Sequence, residues 1–447
     1  MSYPAQQRLV SLDVFRGMTI AGMVLVNNPG GSPVYWPLEH AEWHGLTPTD
    51  WIFPFFLFIV GVSISIALGK RSGAKPDRKT YTKIATRSAS IYLLGATISI
   101  VPFFQFQATD APDALKMLIW LTFCASLLFL LLRNYRVAAV LCVAALLGIA
   151  GMNLAGYNVV PYNYGTLRIF GVLQRIAVCY LITSIIFLHT NWKQQVGIGV
   201  VLLLGYWLVM TVIPVPGCDV TSISDKACNL AAYIDRIILT ENHIWRGGKV
   251  YDPEGILSTI PAIVTTISGV LTGTWLVRSP HVSKGKSDNS EALTYVRATD
   301  TVSGLFFFGV TLLALGLIWN SYFPMNKALW TSSYVLATSG LALLVLGACY
   351  WLIDIKGYER WAWPFKVFGA NALALFVFTG FFARMISAYR VTGADGQLVS
   401  IQKVVMQSVF LPIFNPIDAS LAFAISFILL WLFLMWLLYR KRIYVKV

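Results

Sequence analysis

The chain has 447 residues, of which 57% are hydrophobic and only 12% charged, with a formal net charge of +14. Soluble globular proteins carry about a quarter charged residues, so a soluble enzyme or binding module is excluded and a polytopic membrane protein is indicated. The basic residues fall in short segments between apolar runs, which points to orientation in a membrane and not to nucleic acid.

A bilayer core about 30 Å thick takes roughly 20 apolar residues per helix, and the period-two alternation of a membrane barrel is absent. The expected fold is therefore all-α, a membrane helix bundle of about 12 transmembrane helices. In chain order the expected spans are 11–28, 50–69, 84–102, 115–133, 137–153, 168–189, 195–213, 258–277, 302–319, 331–352, 365–386 and 417–439. Arg8 and Arg16 bracket the start of the first run with no small-residue cleavage site behind it, so that run is expected to stay in the mature protein.

The loop after the second span carries Lys70, Arg71, Lys75, Arg78, Lys79, Lys83 and Arg87 against Asp77, whereas 29–49 contains no Lys or Arg. This asymmetry sets the first loop outside. Counting on, Arg133 and Arg136, Lys193, then Arg278, Lys284, Lys286 and Arg297, then Lys356 and Arg360, and finally Arg440 to Arg442 fall inside, so both termini are expected in the cytoplasm. No internal repeat or inverted pair of broken helices is visible, and residues 1–447 read as a single domain.

The first outer loop holds Asn27, His40 and Asp50 between two apolar spans. An imidazole at the bilayer face can accept a proton from an attacking amine or hydroxyl, or be acylated itself. Asp50 can orient that ring, or only cap the second span beside Thr47 and Thr49. Asn27 can donate to an oxyanion, or only end the first span before Pro29. At the other end of the first span, Asp13 and Arg16 share a helical face, either as a salt bridge or as a grip on the phosphates of a nucleotide-bearing donor.

Gln174 and Arg175 lie within an apolar run, where a charge is a functional candidate by default. Tyr251 to Leu257 leads into the eighth span, and Asp252 before Pro253 reads as an N-cap, with Glu254 either structural or a contact to a sugar. Asn371 reads as a helix-to-helix hydrogen bond. Aromatic residues such as Trp43 suit an interfacial belt. The six cysteines show no metal spacing, so no metal is expected, and Cys218 and Cys228 share an outer loop where a disulfide is expected.

These residues resemble the family of heparan-alpha-glucosaminide N-acetyltransferase and its bacterial relatives. The resemblance covers most of the chain. It rests on Ser11-Leu-Asp13-Val-Phe-Arg16-Gly17, Val26-Asn27, His40-Ala41, Trp43, Gly45-Leu-Thr47, Asp50 and Phe53-Pro-Phe-Phe56. It continues through Gly171-Val-Leu-Gln174-Arg175, Pro214-Val-Pro-Gly-Cys218, Tyr233-Ile-Asp235-Arg236, Tyr251-Asp252-Pro-Glu254-Gly255-Ile-Leu257, Asn326-Lys327, Leu329-Trp330, Asp354-Ile-Lys-Gly357 and Tyr439-Arg-Lys-Arg-Ile-Tyr444. The hairpin of spans from 115 to 153 and a shorter outer loop at 214–257 depart from that pattern, and His44 has no match in it.

The resemblance implies transfer of acetyl from cytosolic acetyl-CoA to the amine of a glucosamine-type amino sugar or glycan on the opposite membrane face. His40 is then the essential histidine, with Asn27 and Asp50 beside it. Asp13, Arg16, Gln174 and Arg175 would serve the donor, and Asp252, Glu254 and Trp43 the acceptor. A bacterial inner membrane, with the His40 loop in the periplasm and lipids around the bundle, is the expected setting. The rival reading is an amino-sugar transporter. The oligomeric state is left open, a homodimer being one form the sequence allows.

Overall fold

A computed structural model of the chain describes residues 9–69, 76–278, 289–392 and 396–445, with the backbone alone at 278 and 289–297. Arg8, Lys70, Arg71, Lys75, Lys284 and Lys286 thus lie outside the described residues, as do the side chains of Arg278 and Arg297.

Over its described residues the chain is mainly helical, with long loops between some of the helices. Its helices are α1 (Val10–Asn27), α2 (Ile52–Leu68), α3 (Arg78–Ile100), α4 (Asp113–Leu131), α5 (Tyr135–Leu154), α6 (Val172–His189), α7 (Trp192–Val212), α8 (Leu230–Leu239), α9 (Thr259–Arg278), α10 (Asn289–Trp319), α11 (Ser332–Cys349), α12 (Trp363–Ala370), α13 (Ala372–Ala388), α14 (Ile401–Val405) and α15 (Pro416–Arg440). One small antiparallel ribbon, β1 (Arg390–Thr392) and β2 (Leu398–Ser400), pairs Val391 with Val399.

Among the described residues ten helices are long and apolar enough to cross a membrane, or eleven if the bent pair Arg360–Ala370 and Ala372–Ala388 counts as one span. The protein is a polytopic membrane helix bundle. The difference from about twelve spans lies at 84–102, which is helical within α3. That helix opens on Arg78, Lys79, Lys83 and Arg87, and is not apolar enough to be counted.

The expected span 365–386 is broken at Asn371, whose backbone leaves the helical region. Its amide holds the C-terminal tail rather than another helix: Nδ2 donates to the Ile443 carbonyl at 2.9 Å, and Oδ1 accepts from the Val445 N–H at 2.8 Å.

Two compact units share the chain. The first holds residues 1–19, 40–92 and 168–369. Its centre is the pair α2 and α9, which approach so closely that an added Cβ on Gly61 would stand 1.9 Å from the Thr266 carbonyl oxygen, and one on Gly269 2.0 Å from that of Phe58. Small residues permit this because, without a hydrophobic drive between helices in lipid, association rests on backbone contact and dispersion. Around the pair, Leu57, Ile267, Trp330, Tyr334 and Val335 form a buried core. Several Ser and Thr hydroxyls in these helices donate within their own helix, as Thr338 does to the Tyr334 carbonyl at 2.7 Å, while Ser332 reaches the Leu203 carbonyl of α7 at 2.8 Å.

The second unit holds residues 20–39, 93–167 and 370–447. It contains the α4–α5 hairpin, the β-ribbon, α13 and α15. Lys116 of α4 is buried but fully used: its ammonium donates to the Phe106 and Thr109 carbonyls at 2.9 and 3.1 Å and pairs with Asp113 at 2.7 Å. Most of α5 faces outward, with Val140, Val143, Leu146 and Leu147 exposed, as a lipid-facing helix requires.

Gly269→Ala is expected to force α2 and α9 apart and cost about 1–3 kcal/mol. Thermal unfolding in detergent checks this, with Gly151→Ala on α5, whose added Cβ meets nothing, as the unchanged control.

Candidate functional site

The loop from 40 to 47 is folded around one carboxylate. Thr47 and Asp50 form a reciprocal cap on the 3-10 turn Pro48–Trp51 that leads into α2. Asp50 Oδ2 accepts from the Thr47 N–H at 3.2 Å, the Thr47 hydroxyl at 3.0 Å and the Ala41 N–H at 3.2 Å. Its backbone carbonyl accepts from the buried Tyr334 hydroxyl at 2.6 Å. The other oxygen, Oδ1, is left to face His40, 2.7 Å from Nδ1. Both readings of Asp50 from sequence, cap and ring partner, are therefore realised by its two different oxygens.

This geometry sets the imidazole. A carboxylate only accepts, so the neutral ring carries its proton on Nδ1 and its lone pair on Nε2. Asp50 is 1% exposed while the His40 side chain is 51% exposed, so a fixed anion stands behind a ring open to a substrate. That is the arrangement of a general base with an orienting partner.

Lys327 completes the cluster. Its Nζ lies 3.4 Å from Asp50 Oδ1 and 3.0 and 3.3 Å from the two ring nitrogens of His40. Being nearly equidistant from both nitrogens, it sits over the ring rather than in line with either. Burial pushes its ammonium below the usual lysine range, with the Asp50 and Glu254 carboxylates pulling the other way.

A second cluster lies nearby in the same unit. The Arg168 guanidinium donates to Asp252 through Nε at 2.9 Å and Nη2 at 2.5 Å, and also to Glu254. Burial works against the charge of Arg168, but the two acids carry it above the ordinary arginine range. Asp252 also accepts the Glu254 N–H at 2.9 Å, so its carboxylate is taken up by the fold. Arg175 is completely buried, donates to the Gly255 carbonyl at 3.2 Å and the Ser258 hydroxyl at 2.5 Å, and lies 5.1 Å over the Trp330 ring. Gln174 is buried beside it in the first turn of α6. Asp235 accepts from the Ile256 N–H at 2.9 Å under the same turn, and burial raises its carboxyl to about 6.

Trp43 packs edge-on against Tyr251 at 5.0 Å and donates its indole N–H to the Ile223 carbonyl at 2.9 Å. The loop bearing Ile223 is closed by a disulfide between Cys218 and Cys228. At the far end of α2, Arg16 pairs with Asp13 at 3.2 Å and donates to Ser63 at 3.3 Å. Asn27 ends α1 in the second unit and is exposed. The structure therefore brings His40, Asp50 and Lys327 together. Lys327 lies in the Asn326-Lys327 part of the sequence resemblance, and only the fold brings it to a histidine 287 positions away.

Residues 8–161 match the family described as Heparan-alpha-glucosaminide N-acetyltransferase, catalytic. Over 413 residues the chain is 28% identical to the Heparan-alpha-glucosaminide N-acetyltransferase of Homo sapiens, covering 83% of this chain and 52% of that protein. Over 414 residues it is 28% identical to the Mus musculus protein of the same name, covering 83% and 53%. Over residues 8–161 the chain is thus similar to the catalytic part of this family. It spans about half the length of these relatives. His40 and Asp50 fall inside the family match, whereas Lys327, Arg168, Arg175 and Asp252 lie beyond its end.

Asp235 gives a pH prediction. A carboxyl raised to about 6 in the folded protein holds its proton where the unfolded chain, near 3.8, has lost it. Its contribution to stability is complete below pH about 4, declines as pH rises toward 6, and levels off above. Asp235→Asn keeps the acceptor for Ile256 and removes that decline. Unfolding temperatures at pH 4.5 and 7 should show the variant gaining on the parent at pH 7 by about 2 kcal/mol.

Proposed function

We propose that this chain is a transmembrane acetyltransferase, a single catalytic domain that moves acetyl from cytosolic acetyl-CoA to the amine of a glucosamine-type sugar on the opposite face. The observation that carries the reading is the His40–Asp50 pair, a half-open imidazole with its basic nitrogen fixed by a buried carboxylate. Similarity to the acetyltransferase family supports acetyl-CoA as the donor, and a half-open imidazole with a fixed basic nitrogen is what amine acylation calls for.

The membrane is bridged along α2. Asp50 and Ser63 stand 13 residues apart by number, about 20 Å of helix at 1.5 Å per residue. Arg16, with Asp13, takes the coenzyme A phosphates from the cytoplasmic side, as a guanidinium does well. The thioester then reaches His40 between helices, where placement beside a bound amine supplies most of the acceleration. Gln174 and Arg175 back the acetyl-bearing end of the donor.

For the acceptor, Trp43 and Tyr251 offer aromatic faces to a sugar ring, with Glu254 for its amine. Asp252 serves this wall indirectly, through Arg168. The setting is a bacterial inner membrane with the His40 loop in the periplasm and both termini in the cytoplasm, an orientation supported by the absence of Lys and Arg from 29–49.

Purified protein incubated with radiolabelled acetyl-CoA and glucosamine should yield N-acetylglucosamine. His40→Ala should lower turnover by about 100-fold or more, the usual share of a general base. In proteoliposomes with donor on one face and glucosamine on the other, product should collect on the acceptor side. Glucosamine flux without acetylated product would overturn the enzyme and favour a carrier.

Asp50→Asn should keep the caps to Thr47 but remove the anion that fixes His40. Turnover should fall by about 10- to 100-fold with little change in KM for either substrate, as steady-state kinetics would read.

A further inference from the structure

Lys327 is presented by a closely hydrogen-bonded turn. From Phe323 to Thr331 the backbone is tied at nearly every residue. The Asn326 side chain accepts the Leu329 N–H at 2.9 Å, the Asn326 N–H donates to the Thr331 hydroxyl at 3.0 Å, and the Thr331 N–H returns to the Asn326 carbonyl at 3.2 Å. The Tyr206 hydroxyl anchors the Leu329 carbonyl at 2.6 Å from α7. Met325 accepts from the Gly45 N–H at 2.8 Å, so the turn is fastened to the loop that carries His40.

The turn is also strained in a way that only packing sustains. Trp330 has φ of +52°, a left-handed conformation that a bulky residue rarely adopts. It is held by the Thr265 hydroxyl at 3.1 Å from its indole N–H and by edge contacts with Phe53 and Tyr334 at 5.1 and 5.2 Å. Asn326, Leu329, Trp330 and Thr331 are all buried, while Lys327 between them is partly exposed. A long flexible side chain has thus been given a rigid base, one anionic anchor in Asp50, and an ammonium poised over His40.

We propose that Lys327 is a catalytic residue whose ammonium stabilises the oxyanion formed during acetyl transfer. This rests on the acetyltransferase reading above. In the reaction, the amine nitrogen attacks the thioester carbonyl carbon, the C=O π pair moves onto oxygen, and the amine proton passes to His40 Nε2. The oxyanion then reforms the carbonyl, the carbon–sulfur bond breaks, and the leaving thiolate takes the proton from His40. Because Lys327 Nζ lies 3.3 Å from Nε2, a carbonyl whose attacking amine is hydrogen-bonded at Nε2 comes within reach of the ammonium. The charge appears on the oxygen only in the transition state, so a preorganised cation there acts on turnover more than on binding.

The test compares the wild type, Lys327→Met, Lys327→Arg and Lys327→Cys in the acetyl-CoA and glucosamine assay, with thermal unfolding of each. Lys327→Met should lower kcat by about 100- to 1,000-fold, with KM for both substrates within about threefold, and Lys327→Arg should recover part of the loss. Alkylating Lys327→Cys with 2-bromoethylamine, which rebuilds the ammonium on the same folded protein, should raise its kcat at least tenfold while leaving the similarly treated wild type unchanged. Turnover of Lys327→Met within threefold of wild type overturns the proposal. So does an alkylated Lys327→Cys no faster than the untreated variant while unfolding at the wild-type temperature. A wild type that makes no acetylated product sinks the acetyltransferase reading itself, and the role of Lys327 with it.

Discussion

The carboxylate of Asp50 is the point on which the His40 end of the first unit depends. One oxygen gathers the Thr47 and Ala41 donors and so closes the loop from 40 to 47, while the other receives His40 and Lys327. An anion buried at a membrane border is tolerated because its acceptor sites are filled and a cation stands at 3.4 Å. The same five contacts decide loop shape, imidazole orientation and lysine position, so these properties cannot vary independently.

Around this point the unit uses two kinds of rigidity. Backbone-to-backbone approach at Gly61 and Gly269 joins α2 to α9, and hydrogen-bonded turns at 47–50 and 326–331 fix the polar rim. Arg168 performs the corresponding task behind the rim, drawing Asp252 and Glu254 together across 84 and 86 positions of sequence. Each buried charge there is paired or hydrogen-bonded, and the part that opens to solvent is the histidine ring.

What sequence reveals here follows the range of the interaction. The membrane class and most spans follow from apolar runs of bilayer length, and the pairing of His40 with Asp50 is suggested by a separation of ten positions, from the first loop to the start of the second span. Lys327 is invisible in this way, because nothing local in its short loop ties a lone lysine to a histidine 287 positions earlier. Arg168 opens the expected span at 168–189, although the helix begins only at Val172, and gives no sign of its two acids. Asn371 reads as a polar residue within a span, yet it ends a helix, since only the folded tail at Ile443 and Val445 supplies partners for its amide. The basic character of α3 was visible as loop charge, but the helix extends through it.

The single uninterrupted helix α2 carries Asp50's turn at its beginning and Ser63, the partner of Arg16, in its fourth turn. A helix is a screw as well as a rod: inserting one residue between these positions would lengthen it by about 1.5 Å and swing one end by about 100° relative to the other. Arg16 would then face a different side of the bundle from its hydroxyl partner while the glycine seam with α9 lost its register. Variation among relatives of this chain should therefore spare the length of this segment and accumulate in the loops that follow it, where an extra residue turns nothing.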